Sequence, residues 1–243
     1  MKRYSRAGDV EPPAPVIAAQ ASPDIELPAW LRDPAPPDEP VDVVLRPSDA
    51  AEDDNDGHRV LSDESRQARE RALKRGTLIH RLLQSLPDVA AGRRDSAARD
   101  YLQRNAQGWP AEEREALGQQ VVALIATPTF APLFADGSRA EVSIAGRVAR
   151  RGKPPALVSG QIDRLVVTPH EVLIVDYKTN HAPPHAAADA PRAYVHQLAL
   201  YRDVLRRLYP GRPVRCILLW TETAAMMEIP ASALDAELQS IVS

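Results

Sequence analysis

One cysteine, Cys216, stands among 243 residues. A lone thiol excludes an internal disulfide framework, a multi-cysteine zinc site and a four-cysteine iron–sulfur cluster. It sits in the apolar run Cys216-Ile217-Leu218-Leu219-Trp220, so a packed core thiol is its expected role. Aromatic residues are scarce at 5%. No apolar run approaches the ~20 residues that cross a bilayer. The N-terminus opens on Lys2-Arg3 without an apolar signal-peptide core, so a cytoplasmic protein is expected. No G-x-x-x-x-G-K-[ST] phosphate loop occurs, and Gly152-Lys153-Pro154 is not one. This chain by itself is therefore no ATP-driven motor.

What is present divides unevenly. The net charge of −3 hides a balance of −9 over residues 1–64 (15 acids, 6 bases) and +6 over 65–243 (24 bases, 18 acids). An acidic substrate would approach the second part. Nine of the 23 prolines fall in the first 40 residues, and Glu52-Asp53-Asp54-Asn55-Asp56-Gly57 closes the stretch. Such a composition favours extended, solvated chain, so residues 1–57 read as a Pro-rich acidic linker. Leu27-Pro28-Ala29-Trp30-Leu31 is its one possible docking anchor.

The richest stretch is Gly160 to Asn180, GQIDRLVVTPHEVLIVDYKTN. It reads as two apolar strands joined at Thr168-Pro169-His170-Glu171. Asp176 and Lys178, two residues apart, leave the same face of a strand. A turn symmetric about Pro169-His170 sets Asp163 opposite Asp176. Opposed residues hold their Cβ atoms about 4.5–5.5 Å apart, which lets two carboxylates grip one divalent cation. The alternative is an ordinary strand end meeting water with a surface Lys–Asp pair. Facing acids repel unless a cation or a shared proton intervenes, and that favours the metal. Leu165, Val167, Val172 and Ile174 are expected on the Asp face, with Ile162, Val166, Leu173 and Val175 on the other. A sheet apolar on both faces is covered on both, an α/β layer arrangement.

Around the hairpin, Ser62 is a plausible N-cap for a helix to about Ser85, carrying Ile79, Leu82, Leu83 and His80. Gly76, one turn before His80, is expected to leave open space beside the imidazole. Residues 96–108 and 111–125 read as further helices of a packing or lid subdomain. Arg139–Val148 alternates as a strand with Glu141 near its start, followed by a basic turn of Arg147, Arg150, Arg151 and Lys153. Ala193–Tyr209 is a strong helix with Tyr194, Leu198, Tyr201, Leu205 and Leu208 on one stripe. Its outer side is basic with Arg202, Arg206 and Arg207. Val214–Trp220 reads as a buried strand, Ala225–Ile229 returns beside it, and Ser232 caps a last helix.

The blocks GTLIHRLLQ (76–84), GQIDRL (160–165), VDYKTN (175–180) and QLALY (197–201), in that order, resemble the PD-(D/E)XK nucleases of the RecB/AddA type over about residues 58–230. The resemblance implies a restriction-endonuclease-like α/β core: a central mixed sheet flanked by helices, filling 58–243, with 87–135 a helical insertion. It implies a Mg²⁺-dependent DNA nuclease, Mn²⁺ substituting, without an iron–sulfur cluster. His80, Asp163, Asp176 and the Tyr177 carbonyl would bind the metal. Asp163, Asp176 and Lys178 would be catalytic, with Lys178 orienting water or meeting phosphate charge. Gln197, Tyr201, Glu141 and Arg164 would brace the site or touch DNA. The Pro-rich entry resembles the joint between helicase and nuclease in AddA. The resemblance thus implies DNA, an AddA helicase portion and an AddB-like subunit as partners, in double-strand-break repair. The alternatives are a silent DNA-binding scaffold or a stand-alone exonuclease.

Overall fold

The hairpin turn closes where Thr168 and Glu171 meet: Thr168 N–H donates to the Glu171 carbonyl over 3.0 Å. From it the computed structural model, which describes residues 43–47, 63–179 and 183–243, builds one sheet. Strand β1 spans Val44–Leu45, β2 Ser138–Arg150, β3 Lys153–Val167, β4 Val172–Lys178, β5 Val214–Trp220 and β6 Ala225–Ile229. The order is β1-β3-β4-β5-β6, with β2 on the other side of β3. Pairing is antiparallel for β2–β3, β3–β4 and β5–β6. It is parallel for β4–β5 and for β1–β3, so the sheet is mixed. Parallel neighbours need a long crossover, and helix α4, Arg192–Leu208, supplies it between β4 and β5.

Helices cover both faces. On one lie α1, Asp63–Ser85, α2, Arg94–Asn105, and α3, Ala111–Ala126. Leu78, Ile79, Leu82 and Leu83 of α1 close onto Val166, Leu173, Val175 and Tyr177. Each such burial contributes roughly 1.5–3 kcal/mol, so α1 is held by its second half; residues 64–74 are largely exposed. On the other face α4 and the last helix, α5, Ala231–Val242, pack onto Leu165, Val172, Ile174, Cys216, Leu218 and Trp220. Strand β4 is buried from Val172 to Tyr177 because it is central and covered twice. This is the restriction-endonuclease-like α/β arrangement that the resemblance implied. No single described helix is long and apolar enough to cross a membrane.

Several local expectations change. Ile162 joins the core of Leu165 and Ile174, although strict alternation puts it on the opposite face. The basic turn shrinks to Arg151-Gly152, where Gly152 takes φ +68°; Lys153 already opens β3. Arg202 is not on the outer side: it is 9% exposed, and its guanidinium reaches Asp235 of α5 at 2.6 Å and the Val214 carbonyl at 3.1 Å. Helix α5 starts ahead of Ser232, with Pro230 at the N-cap and no side-chain cap. Strand β1 lies inside the stretch read as linker, since Val43-Val44-Leu45 can add to the β3 edge: Leu157 N–H donates to the Val43 carbonyl at 2.9 Å. The rest of 1–57, Trp30 included, and the Ser62 cap lie outside the described residues.

Candidate metal centre

The β3–β4 register places the acids. Arg164 pairs with Val175, Leu165 with Ile174, Val166 with Leu173 and Val167 with Val172, all symmetric about Pro169-His170. The ladder stops one step before Asp163 and Asp176. There the Asp163 side chain replaces a backbone acceptor: its Oδ2 takes the Tyr177 N–H at 2.7 Å. On the opposite side, Ala140 pairs with Arg164 and Val142 with Ile162, while Glu141 and Asp163 between them do not pair. Glu141 has φ +53°, a left-handed conformation that costs a non-glycine residue about 1–3 kcal/mol. The two ladder defects coincide with the slipped alternation at Ile162. Asp163 and Glu141 thus leave the sheet at an interruption, beneath α1.

His80 descends from α1 to meet them. Its Nδ1 lies 3.4 Å from Asp163 Oδ1, and its ring meets Tyr177 edge-on at 5.6 Å between centroids. His80, Glu141 and Asp163 each offer one ligand atom, and those atoms all lie within 4.8 Å of one another. Asp176 is not in that trio. It is 6% exposed, and Lys178 Nζ stands 2.6 Å from its Oδ2. That contact is a short, buried ion pair, and Lys178 is the partner of Oδ2. Strand periodicity keeps Asp176 and Lys178 on one face, as read from the sequence, and the ammonium also lies 3.8 Å from the Tyr194 ring centre. The sequence pattern named His80, Asp163 and Asp176 as ligands with Glu141 as accessory; the structure gathers His80 and Asp163 with Glu141, whose left-handed backbone no residue pattern reveals.

The charges are mutually dependent. Burial is the largest influence on His80 and lowers its pKa, but the hydrogen bond and charge of Asp163, with Asp176 and Glu141 behind, raise it above 6.5. Burial pushes the Asp176 carboxyl up against the pull of Lys178. Burial also disfavours the Lys178 ammonium, yet Asp176 overcomes this and raises its pKa, keeping the lysine charged. Three acids around one histidine make an arrangement that a hard divalent cation would complete. Carboxylate oxygens with one imidazole suit such an ion.

The surrounding residues brace rather than line the centre. Arg164 is 3% exposed and turned inward. It donates to Tyr177 Oη at 2.8 Å, Ser138 Oγ at 2.7 Å and the Leu83 carbonyl at 2.6 Å, and stands over the Phe134 ring. One guanidinium therefore ties α1, three residues beyond His80, to the strand bearing Asp176. Gln197 and Tyr201 are 5% and 1% exposed, on the α4 side of the sheet. The Tyr201 hydroxyl fills the space a Cβ on Gly160 would take, 2.3 Å from that position. Gly76 does not leave open space: Thr179 occupies it, its Oγ1 3.0 Å from where a Cβ would be. The glycine instead lets α1 approach the end of β4.

A mixed sheet between helical layers, with a histidine, acids and a lysine converging where its central strands part, defines a restriction-endonuclease-like protein with a metal-ligating centre. The chain belongs to the PD-(D/E)XK nuclease superfamily, whose family profile matches residues 56–239, and so to a group of nucleases that use divalent metals. Among curated proteins none matches the chain. A solved structure titled "Crystal structure of SSO0001" is similar over 69% of this chain and 85% of that one, at 13% identity and a TM-score of 0.32.

Proposed function

We propose that this protein is a Mg²⁺-dependent deoxyribonuclease that hydrolyses phosphodiester bonds, with Mn²⁺ as a substitute. The observation that carries the reading is the gathering of His80, Glu141 and Asp163 ligand atoms within 4.8 Å, beside Asp176 and Lys178. His80, Asp163, Asp176 and Glu141, with the Tyr177 carbonyl, would hold the cation. When bound, it supplies Lewis acidity toward a phosphate oxygen and makes a nearby water easier to deprotonate. Asp163, already fixed by the Tyr177 N–H at 2.7 Å, presents its carboxylate without searching rotamers. Lys178, held cationic by Asp176, has three N–H donors. One turns to Asp176, and another can meet the charge growing on a phosphate oxygen or orient the attacking water. His80 in its neutral form offers a lone pair to the ion. Arg164 keeps the helix and strand that bear these groups in register.

In the cell this activity serves double-strand-break repair as the nuclease part of an AddAB-type helicase–nuclease, beside an AddB-like subunit. The four sequence blocks shared with RecB and AddA nucleases support that reading. Cleavage of labelled DNA with Mg²⁺ tests the chemistry: Asp163→Ala, Asp176→Ala and Lys178→Ala each lose at least ~100-fold in rate. Undiminished cleavage in all three ends the assignment. Co-purification with an AddB-like subunit tests the partnership separately.

A further inference from the structure

Between β1 and β4 the strand β3 has a gap. Its β1 neighbour pairs only with Leu157 and Val158, and its β4 neighbour begins at Arg164. Among the described residues, 159–162 therefore pair on the β2 side alone, and the ribbon of β2 and β3 continues past the metal centre with one face open. Ile144 and Ile162 turn to the α4 core, so Ser143, Ala145, Ser159 and Gln161 take the opposite face, the one on which α1 and His80 lie. All four are exposed. They line a cleft of about 460 Å³ together with the exposed Arg46, which follows β1. The cleft is continuous with the centre: Gln161 Nε2 donates to the Glu141 carbonyl at 3.3 Å, and Gln161 stands two residues from Asp163.

We infer that this open face of the β2–β3 ribbon seats the phosphodiester backbone of the DNA strand on one side of the bond being cut, with Arg46 as its phosphate-binding cation. The inference rests on the nuclease reading and adds the track of the substrate. Two strand residues rise about 6.8 Å, so Gln161 and Ser159 fall one and two steps out from Asp163, like successive phosphates of an extended strand. Small side chains let the strand lie close to the sheet. Hydroxyl and amide groups are the usual uncharged partners of phosphate oxygens, and an arginine fork matches them bidentately. Among the described residues, small and polar side chains predominate in this lining, which fits a backbone read without regard to sequence.

A fluorescein-labelled single-stranded oligodeoxynucleotide, titrated in EDTA and followed by anisotropy, tests this on the whole chain. Arg46→Ala is expected to weaken binding about 10-fold and to lower the slope of log affinity against log salt by about 0.7. Ala145→Glu, which adds an anion to an exposed position, is expected to weaken it further. Wild-type affinity in both folded variants overturns the inference, and so does a wild-type protein that binds no strand. The nuclease reading is separated by cleavage with Mg²⁺. Cleavage by the wild type with unchanged binding in both variants leaves that reading standing and removes the track. Variant-sensitive binding without any cleavage does the reverse.

Discussion

At φ +53° the backbone of Glu141 occupies a region that glycine enters freely. Glu141→Gly is therefore expected to raise the unfolding free energy of the metal-free protein in urea by about 1 kcal/mol, while lowering Mn²⁺ affinity at least ~10-fold by calorimetry. A fall in both quantities would mean that the side chain holds the fold rather than the ion. His80 adds a pH signature. Its pKa in the folded, metal-free chain is raised above 6.5, so protonation favours the fold. That contribution is full below about 6.5, the unfolded value, and is lost as pH rises through the folded value. In EDTA the stability of the wild type relative to His80→Gln should accordingly decline as pH rises above about 6.5. Mn²⁺ affinity should run the opposite way, because only the neutral imidazole ligates. Cys216 is inert by the same physics: it is 0% exposed, burial pushes its thiol up, and a thiol reagent should label it only after denaturation.

Among the elements, α1 contributes both core and chemistry, and two contacts set its height above the sheet. Gly76 admits Thr179, and Arg164 reaches the Leu83 carbonyl. Gly76→Leu should lift the helix from the end of β4 and cost ~10-fold or more in Mn²⁺ affinity. Far-ultraviolet circular dichroism should show its helix content retained. Arg164→Ala leaves the Leu83 carbonyl and the Tyr177 hydroxyl without this donor inside the core, and should destabilise by about 3 kcal/mol in urea unfolding. A loss below ~1 kcal/mol would show the brace to be replaceable. At this scale the sequence was most readable. The strand Val214–Trp220 falls where its apolar run ends, and periodicity places α4 and the second half of α1 to within a residue or two. Arg202 misled because three arginines on one helix look alike until Asp235 of another element takes one of them inside.

For the molecule as a whole, three acids share the surroundings of His80, and a bound cation would relieve their mutual repulsion. Ligand binding to the folded state stabilises it by about 2.7 kcal/mol at 100 times Kd. Mn²⁺ should therefore raise Tm in a concentration-dependent way that EDTA reverses, and Asp163→Ala should abolish the response.

The sequence by itself determined the hairpin register, because side-chain alternation has a period of two and the turn at Thr168–Glu171 is symmetric. It also determined the layered α/β architecture, because both faces of that hairpin are apolar and must be covered. The same alternation put Asp176 beside Lys178. Only the tertiary structure decided which acids gather with His80. Glu141, Asp163 and His80 lie on three elements separated by up to 83 positions, and no local period relates them. Their meeting depends on two interrupted ladders, a left-handed glutamate and a helix seated through Gly76. The sequence left Arg164, Gln197 and Tyr201 between bracing the site and meeting DNA, and only packing on both faces of the sheet showed how deeply they are buried.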